Sequence, residues 1–211
     1  MTWVAVVPVK GNPGAKTRLG SLPDRAALAD AFALDTVTAL LAASVVERVV
    51  VVTADSELGA RIAALGAVIV PEMRVATGDP LNAAVAHGAD AACRLVPTAH
   101  LAIVTGDLPA LTASHVDRAL RLAEGHERSM VPDAQGTGTT MLLARVGVNL
   151  TPQFGPGSRA RHEAAGHVPL VVAAGIHRDV DTPDDLKQAR TLGVGRHTAA
   201  LSLAATTRIA P

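Results

Sequence analysis

Short apolar runs alternate with longer amphipathic stretches along most of the chain. Val4 to Val9 predicts a first strand. The segment Arg48 to Thr53 is β-branched on both faces, as a buried parallel strand would be. Ala67 to Val70 and His100 to Thr105 predict a third and a fourth strand. Between them the spacing predicts helices. One is capped near Ser21-Leu22-Pro23 and runs to Leu40. A second starts at Asp55-Ser56 and stops at Gly66. A third begins at Asp79-Pro80, with a capping carboxylate and a first-position proline, and runs to about Leu95. Thr112 or Ser114 caps the next. Ser129 to Pro132 and Thr140 to Ala144 predict two strands joined by a glycine- and threonine-rich turn. Ser158 opens a short helix, and Leu170 to Ala173 predicts another strand. Thr182-Pro183-Asp184-Asp185 opens what the pattern makes the last helix, with both acids at its positive dipole end.

This rhythm predicts an α/β fold: a mostly parallel central sheet flanked by helices, Rossmann-like, with a small β-hairpin extension. Residues 1–194 form a single domain. From Gly195 the periodicity fades, so 195–211 is expected to be a loosely ordered tail.

Composition narrows the function classes. Formal net charge is zero, and Trp3, Phe32 and Phe154 are the only aromatic residues. There is no broad field to draw in nucleic acid or an anionic membrane, and no set of platforms for stacked bases. Cys93 is the single cysteine, which excludes an intramolecular disulfide and a cysteine zinc site. It is expected to be an inert, packed helical thiol. The N-terminus lacks a basic start, and no run approaches the roughly 20 apolar residues that span a bilayer. A cytoplasmic protein is the expectation. A homodimer is neither required nor excluded.

Ligands of open α/β sheets bind beyond the carboxyl ends of the strands, so the segments that follow each strand carry the candidate chemistry. After the first strand, Pro8-Val9-Lys10-Gly11 leads to Lys16 and Arg18. Glycines there let the backbone approach an anion, and the cations could neutralise a triphosphate; an ordinary solvated loop is the alternative. It lacks the Walker spacing. After the fourth strand, Asp107 sits beside apolar residues, where a carboxylate is costly unless paired. Magnesium suits it, and a turn or capping role is the alternative. Asp179 and Asp181, two apart, share one face of an extended segment and could reach one metal centre, or could be a solvated acidic turn. Thr139 and Thr140, in the turn after Gly136, and Gly155 with Ser158, at a glycine-rich entry to a helix, offer donors to a small polyanion. Gly78 and Asn82 mark a loop that could read a base or simply cap a helix. No histidine has a partner spacing that defines a catalytic role.

These motifs together resemble the 2-phospholactate/phosphoenolpyruvate guanylyltransferase family of coenzyme F(420) biosynthesis. The marks are Pro8-Val9-Lys10 with Ala15-Lys16-Thr17-Arg18-Leu19, Gly106-Asp107-Leu108-Pro109, Asp133 with Gly136-Thr137-Gly138-Thr139-Thr140, Phe154-Gly155-Pro156-Gly157-Ser158-Arg159, and Asp179-Val180-Asp181-Thr182-Pro183-Asp184-Asp185-Leu186. The resemblance implies a compact nucleotide-diphospho-sugar transferase fold. It implies magnesium on Asp107, Asp179 and Asp181, and GTP over Pro8, Lys10, Gly11, Lys16, Arg18, Gly78 and Asn82. Lys16, Arg18 and Asp107 would then be the catalytic set. The acceptor's carboxylate or phosphate would rest on Thr139, Thr140, Gly155 and Ser158.

The implied reaction is transfer of GMP from GTP to a small phosphorylated acid, with loss of pyrophosphate. No residue distinguishes phosphoenolpyruvate from 2-phospholactate. Richness in alanine, valine and arginine suggests a GC-rich genome and tips the expectation to phosphoenolpyruvate. A same-fold enzyme with another NTP and acceptor, and a non-catalytic nucleotide-binding regulator, are the alternatives.

Overall fold

The computed structural model describes residues 1–10, 25–73 and 78–207, with side chains through Leu201. In chain order the elements are β1 (Trp3–Pro8), α1 (Arg25–Leu41), β2 (Val46–Thr53), α2 (Ser56–Ala63), β3 (Val68–Pro71), α3 (Pro80–Leu95), β4 (His100–Val104) and α4 (Ala113–Ala123). Then follow β5 (Arg128–Pro132), β6 (Thr139–Ala144), α5 (Ser158–Ala164), β7 (Val168–Pro169), α6 (Ala174–His177), α7 (Pro183–Leu192) and α8 (Arg196–Thr207).

Among the described residues the strands form one seven-stranded sheet in the order β3-β2-β1-β4-β6-β5-β7. β1 pairs in parallel with β2 and β4, and β2 with β3. β6 alone runs against its neighbours, β4 and β5. A short turn can join only antiparallel strands, so the predicted hairpin enters the sheet itself.

Strand alternation divides the core. Trp3, Ala5 and Val7 of β1, with Val49, Val51, Ala102 and Val104, pack under α1, α2 and α4. Val4, Val6, Val50, Val52 and Ile103 face the other way, against Ala84, Val85 and Ala92 of α3 and against Phe154. Both faces are covered, which is why these strands read as continuous apolar runs. α3 sits unusually close: a Cβ on Gly88 would lie 2.5 Å from Val6 Cγ1 and 2.6 Å from Val52 Cγ2.

The caps on α2, α3, α4 and α7 are the expected Asp55, Asp79, Thr112 and Thr182. The start predicted for α1 at Ser21-Leu22-Pro23 lies outside the described residues. Three expectations need correction. No strand covers Leu170 to Ala173. Leu170 N–H still donates to Met130 O at 2.8 Å, but Pro169 cannot continue a ladder and Val171 is 91% exposed. The edge strand therefore shrinks to Val168–Pro169. Cys93 is exposed, because α3 buries the stripe of Ala84, Val85, Gly88, Ala91 and Ala92.

The third correction concerns the expected loose tail 195–211, of which Arg196–Thr207 form α8 against α1. Its first turn is capped from far away. The buried Asp35 carboxylate accepts His197 N–H and Thr198 N–H, each at 2.9 Å. Gly195 is packed against that carboxylate with no room for a side chain. Leu201 and Val194 then join a small cluster with Leu28, Phe32, Ala110, Val180, Leu186 and Ala189.

Asp35→Ala should remove this cap and lower stability by about 1–2 kcal/mol, read from urea unfolding. An unchanged midpoint would refute the capping role.

Candidate active site

At the carboxyl edge of β4 and β5 lies a cleft of about 640 Å³. Two groups of residues line it. One comprises Thr105, Asp179 and Asp181; the other is a wall of polar and glycine residues from Asp133 to Thr139 and from Phe154 to Ser158. A second cavity, of about 670 Å³, lies behind the 133–136 turn beside Arg159, His177 and Arg178. It is marginally larger, but it lacks Asp179, Asp181 and Ser158, so the chemistry is assigned to the first.

Two loops distant in sequence form the acidic side. Val180 N–H donates to Asp107 O at 3.1 Å, so the two segments run backbone to backbone. The Asp107 loop is fixed by other long-range contacts. Leu108 N–H donates to Thr36 Oγ1 at 3.1 Å, and Thr36 in turn donates to Phe32 O at 2.8 Å. Gly195 N–H donates to Pro109 O at 2.9 Å. Gly106 is packed closely, since a Cβ there would press on Val9 Cγ2 at 3.1 Å and Pro8 O at 3.3 Å. The loop of Asp179 and Asp181 is organised by Asp185, whose carboxylate accepts Thr182 Oγ1–H at 2.7 Å, Thr182 N–H at 3.0 Å and Asp181 N–H at 3.4 Å. Arg178 Nη1 donates to it at 3.2 Å.

Among the described residues, no three His, Cys, Asp or Glu side chains are grouped to hold a metal by themselves. Asp179 and Asp181 border the cleft directly, and Asp107 adjoins through its backbone. Magnesium commonly takes one or two carboxylates and fills its shell with phosphate oxygens and water. The donors here fit that habit. They include Thr105 Oγ1, a buried oxygen with no hydrogen-bond partner among the described residues.

The opposite group begins with the turn between β5 and β6. Asp133 Oδ1 accepts Thr137 N–H at 2.8 Å. Gly138 lies against the Asp133 carboxylate with no space for a Cβ. Arg159 N–H donates to Thr137 O at 3.2 Å, docking this turn on α5. Thr139, Thr140 and Ser158 are buried. Thr140 Oγ1 is spent on Val131 O at 3.4 Å, whereas Ser158 and Thr139 border the cleft.

The segment before α5 is held at three points. Asn82 makes a two-way bond with the Phe154 backbone, accepting its N–H at 2.8 Å and donating to its carbonyl at 3.2 Å. Arg161 clasps carbonyls with its guanidinium, reaching Pro156 O at 2.7 Å and Gln153 O at 2.9 Å. Gln153 N–H donates to His162 Nε2 at 3.1 Å. Gly155, with φ at 113°, takes a conformation that suits glycine. Asn82, expected on the nucleotide side, thus uses its amide to hold the other wall.

On the nucleotide side, Pro8 and Lys10 adjoin Leu81 at the start of α3, and Leu81 also borders the main cleft. Lys10 and Gly78 are exposed. Gly11, Lys16 and Arg18 lie outside the described residues.

The MobA-like NTP transferase domain model matches residues 14–178. A phosphoenolpyruvate guanylyltransferase of Thermomonospora curvata is 46% identical over 209 residues, covering 96% of this chain and 89% of that protein. One from Streptomyces scabiei is 47% identical, covering 95% of each. The chain belongs to the phosphoenolpyruvate guanylyltransferase family. The expected family and fold class are both borne out. A Desulfovibrio desulfuricans structure described as a nucleotide-diphospho-sugar transferase has the same fold, with a TM-score of 0.67 at 17% identity, covering 98% of this chain and 96% of that one.

In this guanylyltransferase-family cleft, the spacing of residues had concealed Thr36, Asn82's second role, Arg161, His162 and the organising role of Asp185. Only the capping-box spacing of Thr182 and Asp185 gave a local signal, and that box forms. Burial alone would raise the Asp185 carboxyl. The Thr182 hydroxyl and N–H, Asp181 N–H and Arg178 outweigh it and hold the group below its usual value. A depressed folded pKa means stabilisation that is complete above the unfolded value, near pH 4, and lost as pH falls through the folded one. Asp185→Asn should therefore cost about 1 kcal/mol at pH 7. The gap from wild type should close on acidification below about pH 4, followed by chemical unfolding across that range.

Proposed function

We propose that this chain transfers GMP from GTP to phosphoenolpyruvate, releasing pyrophosphate and giving enolpyruvoyl-2-diphospho-5'-guanosine, a precursor for coenzyme F(420). One observation carries the reading. A single cleft combines the paired Asp179–Asp181 loop with the Ser158 wall, in a chain aligned along nearly its whole length with phosphoenolpyruvate guanylyltransferases.

In this reading the acceptor's phosphate oxygen attacks the α-phosphorus of GTP. The bond from that phosphorus to the β-bridging oxygen breaks, and the electron pair leaves with pyrophosphate. A phosphate is already anionic at neutral pH, so the chain need supply no general base. That agrees with a cleft that no histidine lines among the described residues; His162 is fully buried behind the wall. The protein's task is alignment and charge neutralisation. Asp107, Asp179 and Asp181 are the residues that would hold magnesium, which when bound supplies the positive charge that brings two phosphates together. Ser158 and Gly155 receive the acceptor, and Lys10, with Gly11, Lys16 and Arg18, receives the triphosphate. Thr36 and Asp185 keep the two acidic loops in register.

Incubation with GTP, magnesium and phosphoenolpyruvate should yield pyrophosphate and the mass of the guanylylated product. CTP, UTP or 2-phospholactate should be used less well. Product only with another nucleotide would move the chain to a different transfer, and binding of GTP without turnover would make it a regulator. Asp107→Ala should reduce turnover by at least about 100-fold with the fold retained by circular dichroism. EDTA should abolish activity and added magnesium restore it. Ser158→Ala should raise the KM for the acceptor by about tenfold and leave that for GTP unchanged.

A further inference from the structure

His162 has no part in the reaction above, yet it is fully buried directly behind the cleft wall. Its ring packs edge-on between Phe154, at 5.3 Å, and His167, at 5.6 Å. Both of its nitrogens are engaged. A backbone amide can only donate, so Gln153 N–H, at 3.1 Å, makes Nε2 an acceptor. A neutral imidazole then carries its proton on Nδ1, 2.9 Å from Thr139 Oγ1. Burial, with His167 and Arg161 nearby, lowers the His162 pKa to about 4, so the ring is neutral at physiological pH. One amide thereby fixes the tautomer, which is otherwise a free choice.

The consequence falls on two hydroxyls. Thr139 Oγ1 accepts from His162 Nδ1 and from Ser158 Oγ, the latter at 3.3 Å, and sends its own proton to Met130 Sδ at 3.8 Å. Both lone pairs and the proton of Thr139 are then in use. Thr139 was expected to touch the acceptor; its hydroxyl is instead committed inside the wall. The Ser158 contact is the longer of the two bonds that Thr139 accepts. If Ser158 turned its proton to an anion in the cleft, Thr139 would keep the His162 bond and would not become an orphaned buried oxygen.

We propose that His162 is a positioning residue that frees the Ser158 hydroxyl for the anionic acceptor, by satisfying Thr139 from behind. This deepens the guanylyltransfer reading and rests on it for the identity of the acceptor. Without a donor at position 162, Ser158 is the one hydroxyl left donating to Thr139 Oγ1, and the acceptor must compete for that proton.

Two substitutions divide the ring's two bonds. His162→Gln places an oxygen where Nε2 accepts from Gln153 and removes the donor to Thr139. His162→Asn keeps an amide nitrogen near Nδ1 and gives up the Gln153 contact. His162→Gln should raise the KM for phosphoenolpyruvate about tenfold, with the KM for GTP unchanged, whereas His162→Asn should change the acceptor KM much less. In a Ser158→Ala background, His162→Gln should have little further effect on the acceptor KM. Equal losses in both variants, a parallel rise in the GTP KM, or additivity with Ser158→Ala would overturn the proposal as a mere packing effect. Nitrogen-15 NMR of the histidines in the wild-type protein gives a readout independent of turnover and of whether the variants fold. It should show His162 neutral with the proton on Nδ1 from pH 8 to about pH 5, and a proton on Nε2 would sink the idea. If wild type makes no guanylylated product while this tautomer is present, the reaction assignment fails and the hydrogen-bond arrangement stands.

Discussion

The site depends on one backbone hydrogen bond, from Val180 to the carbonyl of Asp107. Carboxylates repel one another, and a loop of acids has no reason of its own to lie beside another. Here the main chains are tied together, and the side chains follow. The tie is supported from below by Val180 and Ala110, packed with Leu28, Phe32 and Leu186. Apolar burial thus supplies the force that holds the acidic segments at the cleft edge.

The supports come from three directions. α1 gives Thr36 to the Asp107 loop, and Asp35, on the same helix, to the first turn of α8. The residue that opens α8, Gly195, bonds back to Pro109. α7 gives Asp185 to the loop of Asp179 and Asp181. Adjacent residues of a single buried helix turn therefore reach both the acidic loop and the C-terminal helix. That arrangement ties α8 to the same helix that holds the Asp107 loop.

Much of the fold was legible because its signals are local. Short apolar runs marked β1, β2 and β4, and side chains within four residues of each helix start marked the caps of α2, α3 and α7. The glycine-rich segments also announced themselves, since left-handed backbone at Gly136, Gly155 and Gly157 favours that residue. What stayed hidden is long-range. The strand order, the insertion of β6 between β4 and β5, and the capping of α8 by Asp35 all join residues whose separation no periodicity records. The site divides in the same way. Asp179, Asp181, Gly155 and Ser158, singled out by their position after strands or at a helix entry, line the cleft, and Asp107 adjoins it through its backbone. His162 and Arg161 were invisible because they work through partners, and a helix of seven residues shows little pattern. Asn82 was noticed for the wrong neighbour: its amide reaches Phe154 rather than only its own helix turn.

The reversed course of β6 gives the two halves of the cleft different freedom to vary. Parallel strands only end at this edge, so each contributes one connection there, and that connection also sets where the next helix lies. β6 begins at the same edge, so the turn from Asp133 to Gly138 enters and leaves on the spot. Lengthening or recoding it would reshape that wall of the cleft while the β4–β6 pairing from Leu101 to Val104 kept its register. In this fold, the hairpin is the place where descent can alter one wall of the cleft without disturbing the strands that carry the other.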